Sequence, residues 1–170
     1  QYRNEARTES APPGEAPEDY ALAFFVSVAD PGLTVLPTHR VVRSDEADQG
    51  RLLEHLQSTF EVFDAPENGD LTERWEALRE GGASIGYYGP GGELRGIRLP
   101  EHDRDREDPS LDSLPVTILN ESILRPLYGQ GEGDEELCCE LDYHHRAEDV
   151  RRDVDEGAFQ AGFLLPPLRP

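Results

Sequence analysis

The apolar positions of this chain fall into short alternating runs and longer stretches of helical period. "YALAFFVSVA", residues 20–29, places Tyr20, Leu22, Phe24, Val26 and Val28 on one face and Ala21, Ala23, Phe25 and Ala29 on the other. Apolar residues on both faces predict a strand covered on both sides. Asp30-Pro31-Gly32 is a turn tripeptide, and "LTVLP" returns as a second strand, so residues 20–37 read as a hairpin. Leu52, Leu53, Leu56 and Phe60 follow the 3.6-residue period and predict a helix over 46–60. "EVF" reads as a short strand. Asp70, with Glu73 three residues later, opens a second helix. Its stripe is Leu71, Trp75 and Leu78, and Gly81 ends it.

The pattern then returns to strands. "ASIGYYGPGGELRGIRLP" is a hairpin around residues 89–92, and 101–110 is a charged loop. A helix is predicted from about 115, with Ser113 as cap and Pro115 in the first turn. Leu119, Ile123 and Leu127 share its inner side, with Val116 and Leu124 beside them. "ELCCELDYH" is a strand, and a helix over 146–156 turns Val150 and Val154 inward. Gly157 closes that helix, and "FQAGFLL" is the last strand. No internal repeat is present. The predicted class is α+β: a mainly antiparallel sheet of hairpins with about four helices packed on it.

Composition adds organisation. Residues 1–7 read as a helix remnant and 8–19, "TESAPPGEAPED", as a linker without an apolar anchor. Residues 20–170 then form a single α+β domain, long enough for a real core. The net charge is -20, from 36 acidic and 16 basic residues. All the basic residues are arginine. Self-repulsion of such a surface opposes folding at low salt. Molar salt shortens the Debye length to roughly 3 Å and relieves it. The chain therefore reads as halophilic. No basic stripe offers to neutralise a phosphate backbone, so nucleic acid is not an expected partner. Neither is a membrane, because the longest apolar run, "ALAFFV", is strand-sized. Cys138 and Cys139 are adjacent and point apart on a strand, so no disulfide framework arises. That fits a reducing cytoplasm.

Pro37-Thr38-His39-Arg40 is the sharpest chemical candidate. Proline ends ladder pairing and displays the residues that follow. Histidine exchanges protons near neutral pH, and arginine grips phosphate or carboxylate with two parallel bonds. The alternative is a structural corner, in which Arg40 pairs with a buried carboxylate and His39 fixes the turn. His144 and His145 diverge on a strand, which leaves Asp142 and His144 on one face, and two ligands do not make a metal site. Glu135, Glu136 and Glu140 surround the cysteines and oppose a reactive thiolate. "GPGGELRG" has the glycines of a phosphate loop but neither its lysine nor its helix, and reads as a hairpin turn.

Read whole, "YALAFFVSVADPGLTVLPTHRVV" resembles the domain of unknown function 1015 family. The family's strand, Asp-Pro-Gly-Leu, short strand and Leu-Pro-Thr-His-Arg match residues 30–40. "LDSLPVTILNESILRPLYG" and "AEDVRRDVDEGAFQAGFLLPP" are similar to later segments of the family, so the likeness spans 20–167 in order. Two departures stand out. Asn120 replaces a frequent histidine. The family's Asp-Gly-His-His-Arg motif, which precedes a helix like "QYRNEAR", is absent, as is the family's closing segment. The chain is therefore expected to be a piece of a larger protein whose N-terminal part is its first partner.

That motif resembles the nucleotide-binding loops of ParB and sulfiredoxin-like domains, some relatives of which transfer phosphate to small molecules. The resemblance implies a nucleotide-dependent small-molecule phosphotransferase, inactive as this piece alone. Arg40 would hold a phosphate, and His39 would orient a hydroxyl or act as base. No cofactor is expected within these residues; ATP or another phosphate donor belongs to the intact protein. The contrasting expectation is a non-catalytic packing, binding or oligomerisation domain.

Overall fold

The computed structural model describes residues 20, 22–27, 30, 32, 35–44, 49–99, 114–129 and 137–167. The chain divides into two compact units, 1–34 with residue 170, and 35–169. In the first, residues 22–27 join no β-ladder, and Leu22, Phe24 and Phe25 are almost fully exposed. The strand expected over 20–29, and the hairpin to 37, are not formed among the described residues. A strand with two apolar faces needs a ladder partner and cover on both sides, and this stretch has neither here.

Among the described residues the second unit holds six strands and four helices. They run β1 (His39–Arg43), α1 (Gln49–Thr59), β2 (Glu61–Asp64), α2 (Leu71–Glu80), β3 (Ile85–Gly89), β4 (Glu93–Arg98), α3, β5 (Glu140–His144), α4 (Ala147–Asp155) and β6 (Ala161–Leu164). Helix α3 is continuous through Pro115–Ile118, a π-helical turn Leu119–Leu124, and Arg125–Tyr128. The sheet order is β2-β4-β3-β6-β1-β5, with every pairing antiparallel. This is the expected α+β class, although among the described residues only β3 and β4 form a hairpin. The charged loop 101–110 and the Ser113 cap lie outside the described residues.

Local chemistry accounts for the boundaries. Asp70 accepts from the Glu73 N–H at 2.9 Å while the Glu73 carboxylate accepts from the Asp70 N–H at 3.1 Å, completing the capping box of α2. In α3, Pro126 has no N–H to offer the Ser122 carbonyl four residues earlier. His55 of α1 fills that place through Nε2 at 2.8 Å and ties the two helices together. Pro37 likewise has no N–H for a ladder. Strand β1 therefore begins after it, and residues 35–37 of "LTVLP" lie outside the strand. His39 and Arg40 open a strand of the sheet rather than hang from the end of one.

Strand alternation builds a core on each side of the sheet. Val42, Ile85, Tyr87, Ile97 and Phe163 pack with α1 and α3, through Leu52, Leu56, Leu119 and Ile123. Val41, Tyr88, Leu94 and Leu164 pack with α2 and α4, through Trp75, Leu78, Val150 and Val154. Burying one such side chain contributes about 1.5–3 kcal/mol. The second layer sits close because two glycines lie beneath it. A Cβ on Gly162 would lie 2.2 Å from Val150 Cγ1, and one on Gly86 would lie 2.9 Å from the Trp75 ring.

Gly162→Ala should therefore lower stability by about 1–3 kcal/mol, the usual cost of overpacking, as read by urea denaturation. Gly162→Ala with Val150→Ala should be more stable than the sum of the two single losses, because the clash is shared. Strict additivity would show that Val150 does not seat on Gly162.

Candidate functional site

The sequence candidate opens β1, where it meets β5. The register sets His39 against His144 and Arg40 against Tyr143. Adjacent strand residues point to opposite faces. His39 therefore shares the face of Val41, toward α4, and Arg40 shares the face of Val42, toward α1 and α3. The backbone keeps the two residues together, and the side chains part.

His39 is buried, and its Nδ1 accepts a hydrogen bond from the Leu165 N–H at 3.1 Å. Burial pushes its pKa down to about 4, helped by the neighbouring His144 and His145. The ring is thus neutral at physiological pH, with its proton on Nε2. In that tautomer it donates and has no free lone pair. His39 can position a group or fix the strand. Acting as a base would break its bond to Leu165.

The two later histidines go separate ways. His144 Nε2 donates to Asp153 Oδ2 of α4 at 2.8 Å. Asp153 also accepts from Arg152 Nε at 3.0 Å. His145 Nδ1 donates to the Pro37 carbonyl at 3.0 Å, pinning the segment that leads into β1. No cluster of three or more metal-ligating side chains forms among the described residues.

Arg40 is only 8% exposed. It donates to the Thr38 carbonyl at 3.3 Å, and its guanidinium carbon stands 5.3 Å from the centre of the Tyr143 ring. Its Nε is fully buried with no partner. Among the described residues no carboxylate pairs with it. Arg43 pairs with Glu140, Arg98 with Glu61 and Arg79 with Glu76. Burial lowers the Arg40 pKa, opposed by the charge of the Tyr143 phenol and its side-chain hydrogen bond with Arg40, but a guanidinium stays charged. The buried ion pair of the structural-corner reading is not formed. Tyr143, half-exposed on the edge strand β5, was not singled out by sequence. Only the β1–β5 register reveals it.

The remaining candidates carry less. An open concavity of about 470 Å³ lies at the other end of β1, lined by Arg43, Ser44, Cys138, Cys139 and Glu140, away from His39 and Arg40. Cys138 is exposed and Cys139 half-buried. Burial, with Cys138 beside it, pushes the Cys139 thiol up to about 11, the opposite of an activated nucleophile. The glycines of "GPGG" make the β3–β4 turn, with Gly91 and Gly92 at positive φ.

The family model described as a protein of unknown function (DUF1015) matches residues 1–117. No curated protein matches the chain. Among solved structures, a conserved hypothetical protein from Pyrococcus furiosus is similar at 15% identity and a TM-score of 0.48, over 84% of this chain and 50% of that one. A free serine kinase in complex with AMP is similar at 18% identity and a TM-score of 0.49, over 84% of this chain and 48% of that one. The chain thus spans about half the length of the structures it matches.

The neutral state of His39 has a measurable consequence. Between pH 6.5 and about 4 the unfolded chain binds a proton here that the fold refuses. Its contribution is complete above pH 6.5 and is lost as pH falls toward 4, by up to about 3 kcal/mol. His39→Gln keeps an acceptor for Leu165 but cannot titrate. Urea midpoints from pH 7 to 4.5 should fall more steeply in wild type than in His39→Gln. Parallel curves would show that His39 is not held neutral.

Proposed function

We propose, on the premise that this chain belongs to the DUF1015 family of proteins of unknown function, that it supplies an anion-binding part of a nucleotide-dependent small-molecule phosphotransferase. The observation that carries the reading is Arg40: a buried guanidinium with a partnerless Nε and, among the described residues, no carboxylate. A charge held out of water is costly unless an opposite charge meets it. The planar fork suits phosphate or carboxylate oxygens best. Arg40 is accordingly the phosphate anchor. His39 positions from the opposite face of the sheet, holding β1 against the segment after β6. The phosphate donor, ATP or another, belongs to the whole protein. That part of the reading is supported by the likeness of the family's Asp-Gly-His-His-Arg motif to nucleotide-binding loops.

A second reading rests on its own observation. Leu22, Phe24 and Phe25 are exposed in sequence, a patch suited to a protein surface. In a packing or oligomerisation domain, the anion facing Arg40 would be a carboxylate of the partner.

The two readings separate by phosphorus NMR. The protein is extended by the family's Asp-Gly-His-His-Arg segment and held in molar KCl with ATP, ADP or pyrophosphate and pooled amino acids and polyols. Transfer should occur, and Arg40→Ala should lower it on the order of 10²-fold, as loss of a charged anchor does. Residues 1–170 alone should show no turnover. Undiminished transfer in a folded Arg40→Ala protein would remove Arg40 from the site. No transfer by the extended wild type would favour the packing reading.

We also propose a halophilic, cytoplasmic setting, supported by the charge of -20 and the all-arginine basic set. Raising KCl from 0.1 to 2 M should lift the thermal midpoint by roughly 4–8 °C, about 2 kcal/mol for a chain of this size. An unchanged or lower midpoint would remove that setting.

A further inference from the structure

The guanidinium of Arg40 is not open to solvent. An exposed ring stands over it. Tyr143 lies directly across the β1–β5 ladder, with its ring centre 5.3 Å from the guanidinium carbon. It is 54% exposed, whereas Arg40 is 8% exposed. Strand β5 is the last strand of the sheet order, so no further strand confines the ring among the described residues. At that free edge the Tyr143 N–H is already taken by the Asp142 carboxylate, at 2.7 Å. The backbone is thus held while the side chain is left to turn.

We infer that Tyr143 is the movable cover of the Arg40 anion site, a residue that sets access and affinity for a phosphate-bearing ligand. The inference rests on the anion-binding reading of Arg40. The ring face and hydroxyl of Tyr143 supply the attraction that a carboxylate would otherwise give. They shield the charge from water without neutralising it. A phosphate arriving from the edge must turn the ring aside, because the α1 and α3 side of the strand is filled by core. The ring therefore competes with the ligand. A surface acid would pair with Arg40 permanently, whereas an aromatic cover yields to a doubly charged oxyanion.

The test uses the intact chain and inorganic pyrophosphate as probe. Binding is followed through the Arg40 Nε–H resonance, assigned by its loss in Arg40→Gln. Pyrophosphate should shift it saturably in wild type. Tyr143→Thr, which keeps a strand-forming side chain but removes the ring, should bind roughly three- to tenfold more tightly, the fold-change given by removing a cation–π competitor. Tyr143→Phe keeps the ring but loses the hydroxyl that bonds Arg40, and should bind between wild type and Tyr143→Thr. Unchanged or weaker binding in a folded Tyr143→Thr protein would overturn the cover and leave the Arg40 site standing. No shift in wild type or in Tyr143→Thr would overturn both.

Discussion

The rest of the structure depends on the pairing of β1 with β5 on one side and β6 on the other. That ladder places a His-Arg dipeptide inside a strand whose first four residues are buried. Two polar side chains then leave water on opposite faces, and each meets the cost differently. Histidine can shed its charge. His39 does so, and spends its lone pair on the Leu165 N–H. Arginine cannot deprotonate, so Arg40 keeps its charge with one carbonyl, the ring and hydroxyl of Tyr143, and an unmatched Nε. An unmet buried donor costs about 1–3 kcal/mol, more when charged. A fold that needed only a corner could place an apolar residue there at lower cost.

Much of the fold was legible in the sequence because it is written in local terms. The stripe of Leu71, Trp75 and Leu78, the Asp70–Glu73 box and the glycine turn at 89–92 all depend on neighbours within a few residues. The first stretch was misread for the converse reason. Alternation in "YALAFFVSVA" gives strand propensity, but a strand exists only with a partner, and no local pattern says whether one is present. The prediction for "LTVLP" failed at Pro37. Its missing N–H was taken to end a strand, whereas in the sheet it marks where β1 can begin.

The candidate site was legible only in part. The dipeptide His39-Arg40 is visible as a motif, but strand parity separates its members, and parity follows from where the ladder starts. Tyr143 and His144 lie about a hundred residues away and meet β1 only through an antiparallel register. The sequence could weigh His144-His145 as metal ligands. It could not show that one ring belongs to Asp153 and the other to the Pro37 carbonyl.

Charge gives the unpaired guanidinium its meaning. The chain carries 36 acidic residues against 16 arginines, so carboxylates are abundant everywhere else. Exposed arginines take them readily, as Arg43, Arg98 and Arg125 do, although such surface pairs are worth little. Among the described residues Arg40 is the one buried arginine, and there it has no acid and is covered by a tyrosine. A field of -20 repels a free phosphate at long range, but at the ionic strength that relieves the fold's own repulsion it fades within a few ångströms. What the ligand then meets is the local charge alone. In the proposed halophilic setting one constraint would govern both the surface and the buried arginine: salt that relieves the acidic surface would also let the proposed anion reach Arg40.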